Sequence, residues 1–214
     1  MATAIDRSPV RRYGGVAARE RVAARRERLL AAAIELYGTE GYAGTGVKDI
    51  CRQAGLTDRY FYESFADGRE LFLAAFERAT SELLALVAKR VGEAAPEAGI
   101  QARAAIEAFV GALAEDARKA RLLFVEAAAA GAEIESHVRT TVRRFADLVA
   151  QTARPHLPPA VPEQHLQMGA LSLVGAIALV IVEWQAGEVD VTVEELVDYF
   201  VGMFAAAGTY ASAS

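Results

Sequence analysis

The sequence predicts an all-α protein of about nine helices, and two observations carry this prediction. Apolar residues recur at intervals of three and four along most of the chain, which is the period of an amphipathic helix. No segment of any length alternates apolar and polar residues as a β-strand does. The 214 residues are 53% hydrophobic, enough for a sizeable core, and a single cysteine excludes a disulfide-stapled secreted domain. The predicted helices cover 17–37, 47–54, 58–65, 67–92, 100–116, 118–130, 133–154, 163–185 and 192–210.

The first element is predicted to be a flexible basic arm, residues 1–16, which leads into the first helix. The arm is polar and lacks the apolar segment of a signal peptide, so we expect a cytoplasmic protein. Two interpretations of Arg11 and Arg12 stay open, because arginines in such an arm either contact DNA or remain a solvated tail. On the first helix we expect a solvated charged face, formed by Arg19, Arg25, Arg26 and Arg28.

The next two elements are short helices with a tight turn between them. Only Gly55, Leu56 and Thr57 separate segment 47–54 from segment 58–65, and glycine permits the turn. Thr57 is placed to cap the second helix. This arrangement predicts a helix-turn-helix, in which the first turn of the second helix reaches base edges in the major groove of DNA.

The remaining elements are longer helices. Asp67 and Glu70 form a capping box in front of the fourth helix, because each side chain can bond a free backbone amide near the helix start. The helix predicted at 163–185 is apolar almost all round and is therefore expected to be covered on more than one side. Its uncharged stretch 168–182 is fifteen residues long, shorter than the roughly 20 residues of a membrane span, so no membrane partner is expected.

The net charge of −5 is an average over two different parts of the chain. Residues 1–80 contain 13 basic and 11 acidic residues, a net charge of +2, whereas the remainder contains 10 and 17, a net charge of −7. The acidic total therefore does not exclude a nucleic-acid partner for the N-terminal part.

The segment from Gly41 to Phe76, GYAGTGVKDICRQAGLTDRYFYESFADGRELFLAAF, resembles the DNA-binding domain of the TetR family of bacterial transcriptional regulators. The resemblance covers residues 20 to about 80. It implies a DNA-binding domain at 17–66 and a ligand-binding and dimerisation domain at 67–214. It also implies a homodimer that binds a palindromic operator, most commonly as a repressor, and that is released by a small-molecule effector.

The resemblance also implies which residues contact DNA. Lys48 and Tyr62 would contact phosphates, whereas Thr57, Arg59 and Tyr60 would face bases or their flanking phosphates. The full predicted set is Thr45, Lys48, Thr57, Asp58, Arg59, Tyr60, Tyr62, Ser64 and Arg69.

Three positions depart from the family pattern. Gly46 stands where a hydroxyl residue usually caps the second helix, and Gly68 stands where a lysine usually contacts phosphate, a role that Arg69 either takes over or does not. Glu63 is an unusual acid on a helix that faces DNA. It either pairs with Arg59, four residues earlier, or accepts a hydrogen bond from a cytosine.

The C-terminal helices predict an apolar effector site and a dimer interface. The candidate effector-binding residues are Phe109, Phe124, Val125, Glu126 and His137. Glu126 interrupts an apolar run, so its side chain is either exposed, which we take as the expectation, or a polar anchor in a pocket. The resemblance implies that the last two helices of each subunit form a four-helix bundle. The candidate interface residues are Leu173, Ile177, Ile181, Trp184, Phe200 and Phe204.

Catalysis, metal binding and cofactors are not expected. The three histidines lack metal-ligand spacing, no nucleophile, base and orienting group recur at a recognisable spacing, and lone Cys51 is interpreted as a small buried hydrophobe. The alternative function is an all-α carrier of apolar ligands, or an enzyme, in which the helix-turn-helix is incidental.

Overall fold

The fold is all-α in a computed structural model that describes residues 13–213. The described residues contain no strand. They contain nine helices, if the three consecutive helical segments over 117–129 are counted as one. The helices are α1 (Tyr13–Thr39), α2 (Val47–Ala54), α3 (Asp58–Tyr62), α4 (Gly68–Glu93), α5 (Ala98–Glu115), α6 (Ala117–Arg121), a π-helical segment (Leu122–Glu126), α7 (Ala127–Ala129), α8 (Ala132–Ala153), α9 (Glu163–Gln185) and α10 (Val193–Ala213), with a 3-10 turn (Arg154–His156) after α8.

The predicted all-α class is confirmed, and three helix boundaries differ from the predictions by three or four residues. Helix α10 ends at Ala213 instead of residue 210. Helix α1 begins at Tyr13, four residues before its predicted start, and residues 1–12 of the predicted arm lie outside the described residues. Helix α3 ends at Tyr62 instead of residue 65. The chain still turns tightly there, because the Phe65 amide donates to the Phe61 carbonyl at 2.9 Å.

The N-terminal helices share one hydrophobic core. Leu29 and Tyr37 of α1, Ile50 of α2, Phe61 of α3 and Phe72 of α4 are all buried in it. Burial raises the pKa of the Tyr37 hydroxyl, with a further contribution from Tyr42. The same core includes residues beyond α5, namely Leu122, Ala127 and Ile134. The helix-turn-helix is therefore packed directly against the C-terminal body of the molecule.

The C-terminal body is built from helices α4 to α10. Helix α5 packs between α4 and α10, and α8 packs against α9. The main core of this body is formed by apolar side chains such as Val110, Leu113, Ile181 and Phe200. Of the described helices, α9 is long and apolar enough to cross a membrane. Only 17% of its most apolar stretch is buried within the chain. An apolar helix with so little intramolecular cover also fits a surface that packs against another protein.

Candidate functional site

The helix-turn-helix is formed by local backbone geometry. Gly46 caps α2 from an extended conformation, and its amide donates to the Asp49 carboxylate at 3.0 Å, so the helix start is capped without a side chain at position 46. Gly55 ends α2 in the left-handed region at φ 62°, which favours glycine. Thr57 lies at the N-cap of α3 as predicted, but its hydroxyl makes no capping hydrogen bond. That hydroxyl is therefore available to a ligand.

The predicted DNA-contacting residues lie on α2 and α3, in the loop before α2, in the turns beside α3 and at the start of α4. The Arg59 side chain is 83% exposed and Tyr62 is 61% exposed, so both extend from α3 into solvent. Phe61, between Tyr60 and Tyr62, is fully buried and holds the helix on the core. The structure also exposes Lys48, Thr57, Asp58 and Arg69, whereas Thr45, Tyr60 and Ser64 are partly buried.

The arginines of α1 correct one expectation. Arg25, Arg26 and Arg28 were predicted to form a solvated face, but they connect α1 to the helix-turn-helix. Arg28 donates to the carbonyls of Ala54 at 2.5 Å and Gly55 at 3.1 Å, which satisfies the C-terminus of α2. The Arg25 guanidinium lies 4.3 Å from the centre of the Tyr60 ring, and that of Arg26 lies 4.8 Å from the centre of the Phe65 ring. Arg19 is exposed.

Glu63 forms ion pairs with two arginines, Arg25 of α1 and Arg59 of α3. Its carboxylate accepts from Arg59 Nε at 3.1 Å and from Arg25 at 3.4 Å. Of the two interpretations of Glu63, the structure favours pairing with Arg59. This ion pair orients the Arg59 side chain along the outer face of α3 before any DNA is bound.

The start of α4 lies beside this surface. Asp67 accepts from the Glu70 amide at 2.8 Å, and Glu70 accepts from the Ala66 amide at 2.6 Å, so the predicted capping residues both act, although Glu70 bonds one residue earlier than the N-cap. Gly68 opens the helix, and a Cβ at that position would meet no atom within 4 Å. A larger residue therefore fits there.

An apolar cavity of about 350 Å³ lies in the C-terminal body, and we call it the inner chamber. One stripe of α4 forms a wall from Phe76 through Leu83 to Val87, and α5, the π-helical segment, α7, α8, α9 and α10 complete it. Phe109 and Phe124, which were predicted to bind the effector, both line it. No charged side chain lines it. The chamber is therefore suited to an apolar molecule.

A second cavity of about 700 Å³, the outer chamber, lies next to the inner one. The two cavities share Val87, Ala105, Phe145, Val149 and Phe204 in their walls. The outer chamber adds the polar groups of Gln101, Thr152, His156, His165 and Thr209 at its edge, and His156 bonds Gln101 at 2.8 Å. The two cavities therefore adjoin each other, and the outer one has the more polar lining.

The wall of the inner chamber contains two polar residues that were not predicted to bind the effector, Thr80 on α4 and Thr141 on α8. Each interrupts an apolar helical stripe: Thr80 follows Phe76 by four residues, and Thr141 follows Val138 by three. A lone hydroxyl residue on such a stripe was the available signal.

Glu126 corrects a second expectation, because it is neither exposed nor part of the cavity. It is 7% exposed, and its carboxylate accepts from the Tyr42 amide at 2.8 Å and from Arg121 at 2.9 Å. Arg121 also donates to the Thr39 carbonyl at 2.7 Å. The network therefore joins the π-helical segment to the loop between α1 and α2. Val125 and His137 also lie outside the cavity walls, and both side chains are exposed.

Helices α9 and α10 correct two of the predicted interface residues, Ile181 and Phe200. Ile181 and Phe200 are fully buried within the subunit, and Ile177 and Trp184 pack on the same core. Leu173 lines the outer chamber and Phe204 lines both chambers. The exposed apolar face of α9 is instead formed by Met168, Leu171, Gly175 and Leu179, and that of α10 by Tyr199, Gly202, Ala206 and Tyr210.

A metal site does not emerge within residues 13–213. No group of three or more histidine, cysteine or acidic side chains is suitably placed to hold an ion in that part of the chain. Cys51 is buried, and burial raises the pKa of its thiol, with a further contribution from Asp58.

Comparison with known proteins agrees with this architecture. A family model described as bacterial regulatory proteins, tetR family, matches residues 29–75. The chain is 28% identical over 125 residues to the HTH-type transcriptional activator FasR of Mycolicibacterium smegmatis, a match that covers 58% of this chain. It covers 57% of FasR, so the similarity extends over little more than half of that relative.

Two solved structures have a similar fold. One is the transcriptional regulator FadR from Bacillus subtilis in complex with stearoyl-CoA, with a TM-score of 0.69, 15% identity and coverage of 83% of this chain and 96% of that chain. The other is the fatty acid degradation regulator FadR from Bacillus halodurans, with a TM-score of 0.71, 14% identity and coverage of 84% and 93%.

Proposed function

We propose that the chain is a transcriptional regulator of the TetR family, and that it acts as a cytoplasmic, dimeric repressor released from a palindromic operator by a long-chain acyl effector. The observation that carries the DNA-binding part is the exposed surface of α3. Arg59 and Tyr62 project from a helix that Phe61 fixes on the core, as a recognition helix requires. The neighbouring Lys48 and Thr57 add groups that suit phosphate contacts.

The acyl character of the effector is supported by the length of the cavity. The α4 stripe that lines the two chambers runs from Phe76 to Val91, fifteen residues or about 22 Å along the helix. An extended alkyl chain advances about 1.25 Å per C–C bond. A ligand that spans both chambers thus has some 17 or 18 bonds, and the stearoyl-CoA bound to the B. subtilis FadR belongs to this class.

Dimerisation is supported by the uncovered face of α9 and α10. Met168 is 65% exposed and Tyr199 is 60% exposed, on helices that are otherwise apolar. A two-fold axis through such a bundle would place the two copies of α3 about 34 to 36 Å apart, one turn of B-DNA, or somewhat further apart on underwound DNA. An effector that favours another subunit geometry by about 1.4 kcal/mol would weaken operator binding tenfold.

The test is a mobility-shift assay on the DNA that flanks the encoding gene, at fixed salt. Arg59→Ala should weaken the specific complex by about 1 to 3 kcal/mol if the guanidinium contacts a base. Tyr62→Phe should cost about 1 kcal/mol if the hydroxyl bonds a phosphate. Arg90→Ala is the matched control, because this exposed arginine lies at the opposite end of α4.

Stearoyl-CoA should then dissociate the wild-type complex at micromolar concentration. An intact complex would contradict the effector class, and a specific shift that both α3 variants leave unchanged would contradict the assigned DNA surface.

A further inference from the structure

Two hydroxyl groups in the wall of the inner chamber have no hydrogen-bond partner among the described residues. They are Oγ1 of Thr80, a residue that is 0% exposed, and Oγ1 of Thr141, an atom that is itself inaccessible to solvent. A buried hydroxyl without a partner destabilises the protein, because it has given up its hydrogen bonds to water. A buried hydroxyl of this kind therefore needs an explanation, such as a ligand that bonds it.

Three other helical threonines, all of them exposed, bond the backbone of their own helix. Thr39, Thr140 and Thr209 each donate to the carbonyl four residues earlier, at 2.8, 2.9 and 3.0 Å. Thr80 and Thr141 lie on helices too, but neither makes this bond. Both instead belong to the wall of the inner chamber, one from α4 and the other from α8. Two helices thus contribute hydroxyls to the same apolar space.

The rest of the wall defines which ligand group these hydroxyls suit. Apart from Thr80 and Thr141, every residue that lines the inner chamber is apolar. A carboxylate or phosphate placed there would be buried without a counter-charge, at a large energetic cost. A hydroxyl or carbonyl is neutral, and it exchanges hydrogen bonds with threonine in either direction.

We propose that Thr80 and Thr141 bind one neutral oxygen function, a hydroxyl or a keto group, carried on the alkyl chain of the effector. The inference rests on the proposed acyl effector and specifies its chemical class as an oxygenated acyl chain.

Thr80 lies eleven residues from Val91 at the outer end, about 16 Å along α4. At about 1.25 Å per C–C bond, this distance corresponds to about 13 bonds. With the thioester carbonyl carbon one or two bonds inward of Val91, the oxygen is therefore carried on carbon 12 or 13.

The test compares 12-hydroxystearoyl-CoA with stearoyl-CoA by calorimetric titration of the full chain. One additional hydrogen bond should make the wild type prefer the hydroxylated ligand about three- to tenfold. The double variant Thr80→Val, Thr141→Val should lose that preference or reverse it. The variant keeps side-chain shape and removes two unpaired hydroxyls, so it should unfold at the same temperature as the wild type or higher. Thr140→Val, on the solvent side of α8, is the matched control and should retain the preference.

Each outcome is informative. Equal affinity of the wild type for both ligands, or a preference that survives in the double variant, would overturn this inference and leave the acyl effector standing. Binding of neither ligand would overturn the acyl effector and this inference together, while operator binding would remain as a separate result.

Discussion

Gly68 begins α4 directly after its N-cap Asp67, and its carbonyl accepts a hydrogen bond from Tyr37 at 3.3 Å. The family pattern has a phosphate-binding lysine at this position, and a Cβ would meet nothing within 4 Å. We expect Gly68→Lys to add one phosphate contact per subunit. Operator affinity should rise, and the slope of log K against log salt should steepen by about 0.9 for each added contact.

The measurement is operator affinity at a series of salt concentrations. Gly92→Lys, at the far end of α4, adds the same charge away from the DNA surface and should leave the slope close to that of the wild type. If Gly68→Lys has the wild-type slope, the neighbouring Arg69 already supplies the phosphate contact or the position does not approach DNA.

At the residue scale, the sequence predicted where capping and turn residues lie better than it predicted which distant residues bond each other. Thr57 at the N-cap, Asp67 and Glu70 at the start of α4, and the turn at Gly55 all depend on residues a few positions apart, which local spacing reveals. The partners of Arg28 lie 26 and 27 residues away, so α1 had to be folded against α2 before its role was visible. A basic helical face has no periodicity that distinguishes solvent from a neighbouring helix end.

At the scale of elements, the π-helical segment lies between the cavity and the DNA-binding domain. Leu123 and Phe124 line the inner chamber, whereas Leu122 is buried in the N-terminal core and Glu126 bonds the loop that follows α1. A π-turn adds a residue to a helix and is frequent at functional sites. One short segment thus lines the inner chamber and also contacts the support of the recognition helix, as a coupling element requires.

Glu126→Gln tests that coupling. The glutamine side chain keeps an oxygen that accepts from the Tyr42 backbone amide, but it loses the charge that pairs with Arg121. Movements of the π-helical segment should therefore be transmitted less strongly to the loop after α1. We expect the factor by which stearoyl-CoA weakens operator binding to fall about three- to tenfold, within the 0.5 to 2 kcal/mol typical of residues that modulate coupling. Ligand affinity without DNA should change much less.

The measurement is operator affinity with and without saturating ligand. Glu135→Gln serves as the control, because it breaks an exposed pair with Arg139 on α8. An unchanged ratio in Glu126→Gln would assign the network a purely structural role.

The positions of the helices could be predicted from the sequence, whereas the buried face of each helix could be predicted only in part. Helix α9 is apolar almost all round, so a period of 3.6 residues does not select its inner side. The predicted interface residues Ile181 and Phe200 consequently turned out to be core residues. Glu126 was misassigned for a related reason, because its partner Tyr42 is 84 residues away and nothing local indicates it.

At the scale of the whole molecule, the basic and the acidic residues are concentrated in different parts of the chain. The basic excess lies before residue 80, and the acidic excess lies in the body that carries the two chambers and the faces of α9 and α10. A dimer formed through α9 and α10 would join two acidic bodies and leave both recognition surfaces outermost. Phosphate repulsion would then disfavour every approach to DNA except through the N-terminal domains.

Leu171 provides the sharpest test of that dimer. It is 40% exposed in the subunit, lies midway along the apolar face of α9, and lines neither chamber. Leu171→Glu would place an uncompensated carboxylate in each half of a two-fold interface, so sedimentation at micromolar concentration should change from twice 22.8 kDa to the monomer mass. Operator affinity should fall at least tenfold, because a monomer occupies only one half-site. Leu86→Glu, 38% exposed on α4, is the control and should remain dimeric. A monomeric wild type, or a Leu171→Glu variant that still sediments as a dimer, would show that this face is not the interface.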